Sequence, residues 1–426
     1  MEQTFYVAIA VFVAVYALLI WDKLNRAVVA LLGACALILL GVLNQEAAVR
    51  GIDFNTIGLL IGMMVIVFIC QDTGMFQYIA IRGAKMSKGD PWKILVALSI
   101  VTACLSALLD NVTTVLLTVP ITLLITQELE VNPYPYFVSQ ILMSNIGGTA
   151  TLIGDPPNIM IGSATGLTFM DFVFGVGPVI PIIVIATLIP LRFIYGKSFK
   201  VSEERKKRIM EFRESEALTD IPLLKKCLVV LALVIGGFML QRQLHLEPAT
   251  IALFGAAVLL LISKKDLALV MEKVEWTSIF FFIGLFIVVH SLVEVGFIKY
   301  LADHMLELTG GDMAVTGFAI LWGSAIASSI VDNIPFVATM IPLIKNMAPA
   351  FGGDAAVLPL WWALSLGACL GGNGTIIGAS ANVVVSGIAH RNGHEMKFFK
   401  YMLIAYPLML LSIAISTVYM YLRYLG

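Results

Sequence analysis

The fold follows from a motif that occurs twice, Leu109-Asp110-Asn111-Val112 and Val331-Asp332-Asn333-Ile334, each time in the middle of an apolar stretch. The motif joins two pairs of short apolar segments: 94–109 with 112–127, and 314–330 with 334–349. An acidic residue at the centre of a membrane segment costs about 2.5–3.5 kcal/mol on insertion scales, so it usually marks a functional site. A helix-capping aspartate is the structural alternative, but repetition of the Asp-Asn pair favours function.

The composition indicates a membrane protein. Of the 426 residues, 59% are hydrophobic and 13% are charged, and the mean hydropathy is +0.95. Soluble domains carry about 25% charged and about 45–50% apolar residues, so water is the wrong solvent for this chain. The net charge of −1 indicates no nucleic-acid partner. We expect an integral protein of a bacterial or archaeal inner membrane, surrounded by the lipid bilayer.

A spanning helix needs about 20 mostly apolar residues. Eight stretches are clear candidates: 4–20, 27–43, 56–80, 178–195, 222–241, 250–264, 277–298 and 401–422. Two more, 137–170 and 358–389, are long but interrupted by Gly, Pro and Asn. The charged stretch from Lys197 to Thr219 divides the chain almost in half and is interpreted as an aqueous linker.

The two halves match each other at a constant shift. The shift that superimposes Asp110-Asn111 on Asp332-Asn333 also pairs many Gly and acidic positions before the motif. Beyond the motif a slightly larger shift pairs the Gly-rich segment 147–154 with 371–378. Chance similarity between apolar helices does not keep polar residues in one register over such a length. The sequence therefore predicts an internal duplication.

The duplication predicts an all-α polytopic membrane protein of two inverted-topology repeats. Each repeat has about five spans, one of which is a discontinuous helix, and in addition one re-entrant hairpin. An odd number of spans inverts one repeat relative to the other. Lys and Arg then concentrate in the predicted inner loops, as the positive-inside rule requires, although hairpins that cross fully fit the charges equally well. The predicted boundaries are 1–196 for the first repeat, 197–221 for a cytoplasmic linker and 222–426 for the second repeat.

Each half also contains a Gly-rich break that cannot continue as a regular helix. The first is followed by Asp155-Pro156-Pro157-Asn158, and the second leads to Asn382. Non-helical backbone at membrane depth is tolerated only where it is buried in protein or lines a cavity, so each break is expected to face a hairpin tip. Its backbone is expected to line the site through seven glycines: Gly147, Gly148, Gly154, Gly371, Gly372, Gly374 and Gly378.

These segments together define a candidate site for a substrate and a coupling ion, either a proton or Na⁺. Its predicted polar residues are Asp110, Asn111, Thr113, Thr149, Thr151, Asp155, Asn158, Asp332, Asn333, Asn373, Thr375 and Asn382. Proton coupling is assigned to Asp110, Asp155 and Asp332. Asp155 has no acidic mate, because Ala379 stands at the equivalent position. No Lys or Arg is close in sequence to the breaks, which favours a neutral or weakly charged substrate.

The same motifs resemble the ion transporter superfamily, and within it the branch that joins the arsenite permeases (ArsB) and the melanosomal P protein. They are Leu-Asp-Asn-Val-Thr-Thr at 109–114, Ile-Gly-Asp-Pro-Pro-Asn at 153–158, Asp-Asn-Ile-Pro-Phe at 332–336, Gly-Ala-Cys-Leu-Gly-Gly-Asn-Gly-Thr at 367–375 and Gly-Ala-Ser-Ala-Asn at 378–382. The resemblance implies an elevator-type carrier, often a homodimer. Its transport part would cover approximately 94–170 and 314–390, and a scaffold the remainder.

The resemblance implies a secondary transporter that exports arsenite or antimonite in exchange for protons, sometimes with an ATPase partner. A sodium–proton antiporter and an organic-anion carrier of the citrate or dicarboxylate type are the alternatives, and a channel is disfavoured. The dicarboxylate carriers place Ser-Asn-Thr at their hairpin tips, whereas this chain has Asp-Asn. Cys369 is a candidate contact for a thiophilic substrate or a packing residue. No nucleophile–base constellation, cofactor motif or metal site is visible, so we expect no enzyme activity.

Overall fold

The computed structural model describes residues 2–21, 23–196, 199 and 201–426. All regular secondary structure within these residues is helical. Residues 197, 198 and 200, at the start of the predicted linker, lie outside the described residues. The first half contains these helices: α1 (Glu2–Trp21), α2 (Arg26–Leu39), α3 (Gln45–Arg50), α4 (Phe54–Gln71), α5 (Met75–Met86), α6 (Pro91–Ser106), α7 (Asn111–Leu129), α8 (Tyr134–Gly148), α9 (Pro156–Thr165), α10 (Phe169–Gly175) and α11 (Ile180–Tyr195).

The linker contains α12 (Glu203–Glu211), and the second half follows from there. Its helices are α13 (Ile221–Met239), α14 (Gln241–Leu244), α15 (Pro248–Ser263), α16 (Leu267–Glu272), α17 (Trp276–Glu294), α18 (Phe297–Thr309), α19 (Met313–Ile330), α20 (Asn333–Met347), α21 (Leu358–Gly371), α22 (Ser380–Arg391) and α23 (Phe398–Met420).

Two predicted spans are wrong, because each is two helices. The stretch 56–80 is divided into α4 and α5 at Gly74, whose φ is +78°, and 277–298 is divided into α17 and α18 at Gly296, whose φ is +80°. Only glycine adopts such left-handed backbone without a steric cost. The signal was present in the sequence, since the constant shift that relates the two halves pairs these two glycines.

Nine helices of the described part of the chain are long and apolar enough to cross a membrane. Among them, α4, α7 and α17 are mostly buried, whereas most residues of α1, α11 and α13 are partly or fully exposed. Lipid solvates such exposed apolar faces, which a monomeric soluble protein rarely carries. Length does not distinguish re-entrant arms from spans, since α7, α19 and α20 all belong to the nine.

The two halves interlock through two helix crossings, α2 with α17 and α4 with α15. Each crossing depends on a glycine. A Cβ at Gly62 would lie 2.6 Å from the carbonyl carbon of Ala252, and a Cβ at Gly284 would lie 2.6 Å from that of Ala30. Small residues allow membrane helices to approach this closely and to gain dispersion contacts. The constant shift pairs Gly62 with Gly284 and Ala30 with Ala252. The same glycine–alanine contact therefore occurs at both crossings, with the glycine supplied by the first half in one and by the second half in the other.

The Asp-Asn motifs lie between helices, as predicted. Hairpin 1 consists of α6 and α7 and turns at 107–110, and hairpin 2 consists of α19 and α20 and turns at 331–332. The first arm of each hairpin packs against the helix that precedes the break of its own half: α6 against α8, and α19 against α21. The breaks themselves cover 149–155 (break 1) and 372–379 (break 2, which begins with a short 3₁₀ turn).

The linker is not simply aqueous. Ile209 of α12 is 0% exposed and packs in a small apolar cluster with side chains from α5, α6 and α7. Glu214 accepts hydrogen bonds from Lys85 at 2.5 Å and from Arg82 at 2.9 Å, and the Lys85 ammonium, with help from Arg82, lowers the pKa of this carboxyl to about 2. The linker therefore docks on α5 and on the base of hairpin 1.

The glycine crossings provide a test of this packing. Gly284→Ala places a methyl group into the backbone of α2 and should lower the free energy of unfolding by about 1–3 kcal/mol. Gly236→Ala in α13 is the matched control, because no atom lies within 4 Å of its added Cβ, and it should be neutral or stabilising. Thermal unfolding in detergent measures both variants, and equal stability of the two would contradict the close crossing.

Candidate functional site

Each hairpin faces the break of the other half. The second arm of hairpin 1, α7, packs against α22, which follows break 2, and the second arm of hairpin 2, α20, packs against α9, which follows break 1. Each hairpin therefore contacts the opposite half, and the two hairpin tips and the two breaks meet in one place.

Asp155 lies at this meeting point and is 0% exposed. Its Oδ1 accepts a hydrogen bond from Asn111 Nδ2 of hairpin 1 at 3.2 Å and from Asn333 Nδ2 of hairpin 2 at 3.2 Å, and Asn333 Nδ2 is also 3.4 Å from Oδ2. A buried carboxylate is stable only when it is paired or hydrogen-bonded. The tips of both hairpins therefore converge on a single acidic group that only the first half supplies.

A chain of carboxamides extends from this acid into the second half. Asn111 Nδ2 also approaches Asn145 Oδ1 at 3.2 Å, and Asn145 Nδ2 donates to Asn373 Oδ1 at 2.9 Å and to Asn382 Oδ1 at 3.0 Å. Asn145 was not among the predicted site residues, although it belongs to the same Gly-rich segment. The sequence signal was its position one residue before Ile146-Gly147-Gly148, inside an apolar helix.

Two equivalent asparagines satisfy the unwound backbone of the breaks. Asn158 Nδ2 donates to the carbonyl oxygens of Thr149 at 3.1 Å and Thr151 at 2.9 Å, and Asn382 Nδ2 donates to those of Gly372 at 2.7 Å and Thr375 at 2.9 Å. An unpaired carbonyl at this depth would cost as much as a lost hydrogen bond. These two predicted site residues thus hold the breaks in shape.

The predicted hydroxyl groups hold the breaks against the hairpins. Thr151 Oγ1 donates to the carbonyl oxygen of Ala107 in hairpin 1 at 2.5 Å, and Thr375 Oγ1 donates to that of Ser329 in hairpin 2 at 2.6 Å. Thr149 Oγ1 donates to the carbonyl oxygen of Asn145 at 2.7 Å. All three hydroxyls are therefore engaged with protein backbone.

The predicted glycines lie where backbones touch. A Cβ at Gly147 would lie 2.2 Å from the carbonyl oxygen of Ala103 in α6, and a Cβ at Gly371 would lie 2.6 Å from that of Ala325 in α19. Four others, Gly148, Gly154, Gly374 and Gly378, are similarly close to another part of their break or to a hairpin arm. A Cβ at Gly372 would lie 3.1 Å from the carbonyl oxygen of Gly378. The observed contacts of these glycines are with neighbouring protein segments.

The two hairpin aspartates both cap the second arm of their hairpin. Asp110 accepts from the Thr113 amide at 2.8 Å and from the Thr113 hydroxyl at 2.5 Å, and Asp332 accepts from the Ile334 amide at 3.1 Å. The capping alternative considered for the sequence is thus present in the geometry, and it is compatible with a second role for the same carboxyl groups. The neighbouring Asn of each motif, not the Asp, reaches Asp155.

Asp332 has a partner that Asp110 lacks. Arg26 at the start of α2 donates to Asp332 Oδ2 at 2.7 Å and approaches Ser380 Oγ, at the start of α22, at 3.3 Å. Ser380 Oγ in turn donates to Asp332 Oδ2 at 2.8 Å. A cation thus lies beside break 2 in space, although no Lys or Arg is close to either break in sequence. Nothing local in the sequence marks this contact, which joins the start of α2 in the first half to hairpin 2 of the second half.

Comparison with known proteins identifies the family. Residues 16–367 match the family model described as citrate transporter (CitMHS). The chain belongs to the citrate transporter family. This assignment confirms the resemblance to the ion transporter superfamily, and it makes the chain an integral membrane protein that serves transport.

Two relatives of this citrate transporter family member illustrate its similarity to other carriers. An uncharacterized transporter of Mycobacterium tuberculosis is 44% identical over 98% of both chains. The P protein of Homo sapiens is 33% identical over 97% of this chain, which spans 59% of that protein. The predicted relation to the P protein is thus supported. These matches do not test the predicted relation to the arsenite permeases.

The fold is that of a solved transporter. The crystal structure of the YdaH transporter from Alcanivorax borkumensis, which is described as having an unusual topology, superimposes with a TM-score of 0.62. It covers 95% of this chain and 97% of its own, at 13% sequence identity. The predicted all-helical, polytopic fold class is confirmed at this level.

The ion pair of Arg26 and Asp332 should be strongly coupled, because the two side chains are only 20% and 6% exposed. Arg26→Met or Asp332→Asn alone breaks this ion pair and should lower the free energy of unfolding by about 3–5 kcal/mol. The double variant should cost less than the sum by at least about 1 kcal/mol.

Unfolding in detergent measures this double-mutant cycle. The exposed pair Arg213 and Glu216, at 3.2 Å, is the matched control, and its coupling should stay below about 0.5 kcal/mol. Additive costs at Arg26 and Asp332 would show that the pair does not bind α2 to hairpin 2.

Proposed function

We propose that this protein is a proton-coupled secondary transporter of small carboxylate anions. Asp155 is the coupling acid. The side-chain amides of Asn111 and Asn333 bind either Asp155 or the substrate. The carrying observation is that both hairpin tips donate to the same buried carboxylate. The family's description as citrate transporter supports the substrate class.

Competition for the two amides gives the coupling. A substrate carboxylate is the same kind of acceptor as the Asp155 side chain, so it suits the donors of Asn111 and Asn333 equally well. A proton on Asp155 removes its charge and weakens it as an acceptor. Substrate and proton therefore favour the same arrangement, in which the amides leave Asp155. Such linkage is reciprocal, because each ligand raises the affinity for the other.

The N-terminus of α22 favours an anion over a neutral solute, because the helix dipole favours negative charge there. Arg26 lies beside Ser380 at this N-terminus, but its charge is already paired with Asp332. A carboxylate that approaches break 2 therefore meets chiefly the helix N-terminus. We therefore give an organic anion precedence over the neutral substrate that the sequence favoured.

Export of arsenite or antimonite is the second candidate. Cys369 is fully buried beside the breaks, with its Sγ 3.5 Å from Asn158 Oδ1, and a thiol in this position suits a thiophilic solute. In both cases we propose an elevator-type movement of 94–170 and 314–390 against the rest of the chain, in an inner membrane with the linker in the cytoplasm. Acidic groups at the centre would also serve a sodium–proton antiporter.

A substrate screen in proteoliposomes separates these functions. Radiolabelled citrate and succinate, arsenite, and Na⁺ are each offered with and without an imposed pH gradient. Accumulation of a carboxylate only with the gradient is the expected result. Gradient-driven movement of arsenite or of Na⁺ alone would replace the proposal by the corresponding alternative.

Asp155→Asn tests the coupling acid. It keeps the size of the side chain and an acceptor oxygen but removes the proton site, so pH-driven citrate uptake should fall to the level of empty liposomes while citrate exchange persists. Asp110→Asn and Asp332→Asn should each reduce transport with insertion retained, and Asp332→Asn should also lower stability by the amount expected for loss of its ion pair with Arg26. The exposed Asp354→Asn is the matched control and should retain uptake. Normal pH-driven uptake by Asp155→Asn would remove Asp155 from the mechanism.

A further inference from the structure

A polar cavity, which Asp155 itself does not line, lies at one end of α4. It has a volume of about 380 Å³ and is formed by the end of α3, the start of α4, and parts of α9, α17 and α20. We call it the vestibule, and its polar side chains are Arg50, Asp53, Ser163, His290 and Lys345. Small-molecule sites usually measure about 300–1,000 Å³, so the vestibule has the size of a binding site.

The vestibule lies at the end of α4 that is remote from the linker. Asp53 caps the start of α4, whereas Asp72, at its other end, accepts the hydroxyl of Thr219 on its carbonyl oxygen at 2.6 Å. An 18-residue helix separates the two ends, a distance of about 27 Å. The vestibule and the linker thus belong to opposite sides of the protein.

The floor of the vestibule lies close to the site at Asp155. Met160 is in the second turn of α9, which begins directly after Asp155, and Ala338 is in the second turn of α20, which begins at Asn333. At 1.5 Å per residue, each lies about 6–8 Å along its helix from the contact of Asp155 with Asn333. A solute at the floor of the vestibule is therefore less than two helical turns from the coupling acid along each of these two helices.

Basic side chains from three helices converge on the vestibule. They are Arg50 of α3, His290 of α17 and Lys345 of α20. Glu46 neutralises part of this charge by pairing with Arg50 at 2.7 Å, and Glu294 lies 3.3 Å from His290. Lys345 is exposed and, within the described part of the chain, no carboxylate pairs with it.

The one acid that lines the vestibule is already occupied. Asp53 Oδ1 accepts from the amides of Asn55 and Thr56 at 3.1 Å and from Ser163 Oγ at 2.8 Å, and Oδ2 accepts from Thr56 Oγ1 at 2.6 Å. Its charge is thus held by the N-terminus of α4 and by hydroxyl groups. Because Glu46 pairs with Arg50 and Glu294 lies beside His290, Lys345 is the exposed cation of the vestibule that no carboxylate offsets among the described residues.

The basic set is confined to one side of the protein. At the positions of the other half that the constant shift pairs with them stand Glu272 for Arg50, Phe68 for His290 and Leu123 for Lys345. Inverted repeats would place those residues at the opposite mouth. We propose that the vestibule is an anion-loading site, specific for small carboxylates, that concentrates substrate on the side remote from the linker. This inference rests on the proposed function for its choice of anion.

Uptake kinetics test the loading role. Lys345→Gln, and Lys345→Gln with Arg50→Gln, should raise the KM for citrate by about threefold to tenfold at low salt and leave kcat within about twofold, because steering acts on association. The matched control is Arg242→Gln, an exposed arginine at the same end of the protein that binds Asp171 at 3.2 Å, and its KM should be unchanged. Citrate transport with an unaltered KM in both vestibule variants would overturn the loading site and leave the proposed function intact.

A chemical test needs no transport. Ile341→Cys lies in the vestibule one turn before Lys345. Its thiol should react several-fold faster with an anionic methanethiosulfonate reagent than with a cationic one, and Lys345→Gln should abolish the preference. The unaltered chain supplies the background from native thiols. Equal rates with both reagents would overturn the inference, whereas anionic preference without any carboxylate transport would support the vestibule and refute the proposed function.

Discussion

Backbone hydrogen bonding at the two breaks is the constraint on which the rest of the structure depends. Helices that stop at membrane depth leave carbonyl groups without partners, and lipid supplies none. Asn158 and Asn382 answer this need from the first turn of the following half-helix, and each donates to two carbonyl oxygens of its own break. Because both amides are used in this way, the breaks have a defined shape and can present other groups to the hairpins.

The shape of the breaks then determines how the hairpins meet. Threonines 151 and 375 hold each break to its own hairpin, and the second arm of each hairpin crosses to the opposite half. Equivalent contacts therefore recur at equivalent positions, although the side chains at the centre differ. Asp155 replaces an alanine of the second half, and Asn145 corresponds to Cys369. Chemistry is concentrated in one half while the framework is shared by both.

Much of the site was accessible from the sequence because polar residues in apolar segments are costly and therefore conspicuous. The three aspartates, the Gly-rich breaks and all asparagines of the site except Asn145 were predicted as candidate site residues in this way. Arg26 was missed because its partner Asp332 lies in the other half of the chain, and a basic residue at the end of a span is ordinarily explained by the positive-inside rule.

Ile209 was missed because it is a single apolar residue among charged neighbours. The helix boundary at Gly74 was missed because a glycine within an apolar run does not by itself end a span.

Arg26 also bears on where the empty carrier rests. Two identical inverted halves would give the two end states of a transport cycle the same free energy. Arg26 corresponds to Pro248 in the other half, so only hairpin 2 is tied to a cation of α2. In the transport cycle proposed above, the arrangement in which this pair forms is stabilised by it. The ion pair therefore contributes to a preference of the empty protein for one side of the membrane.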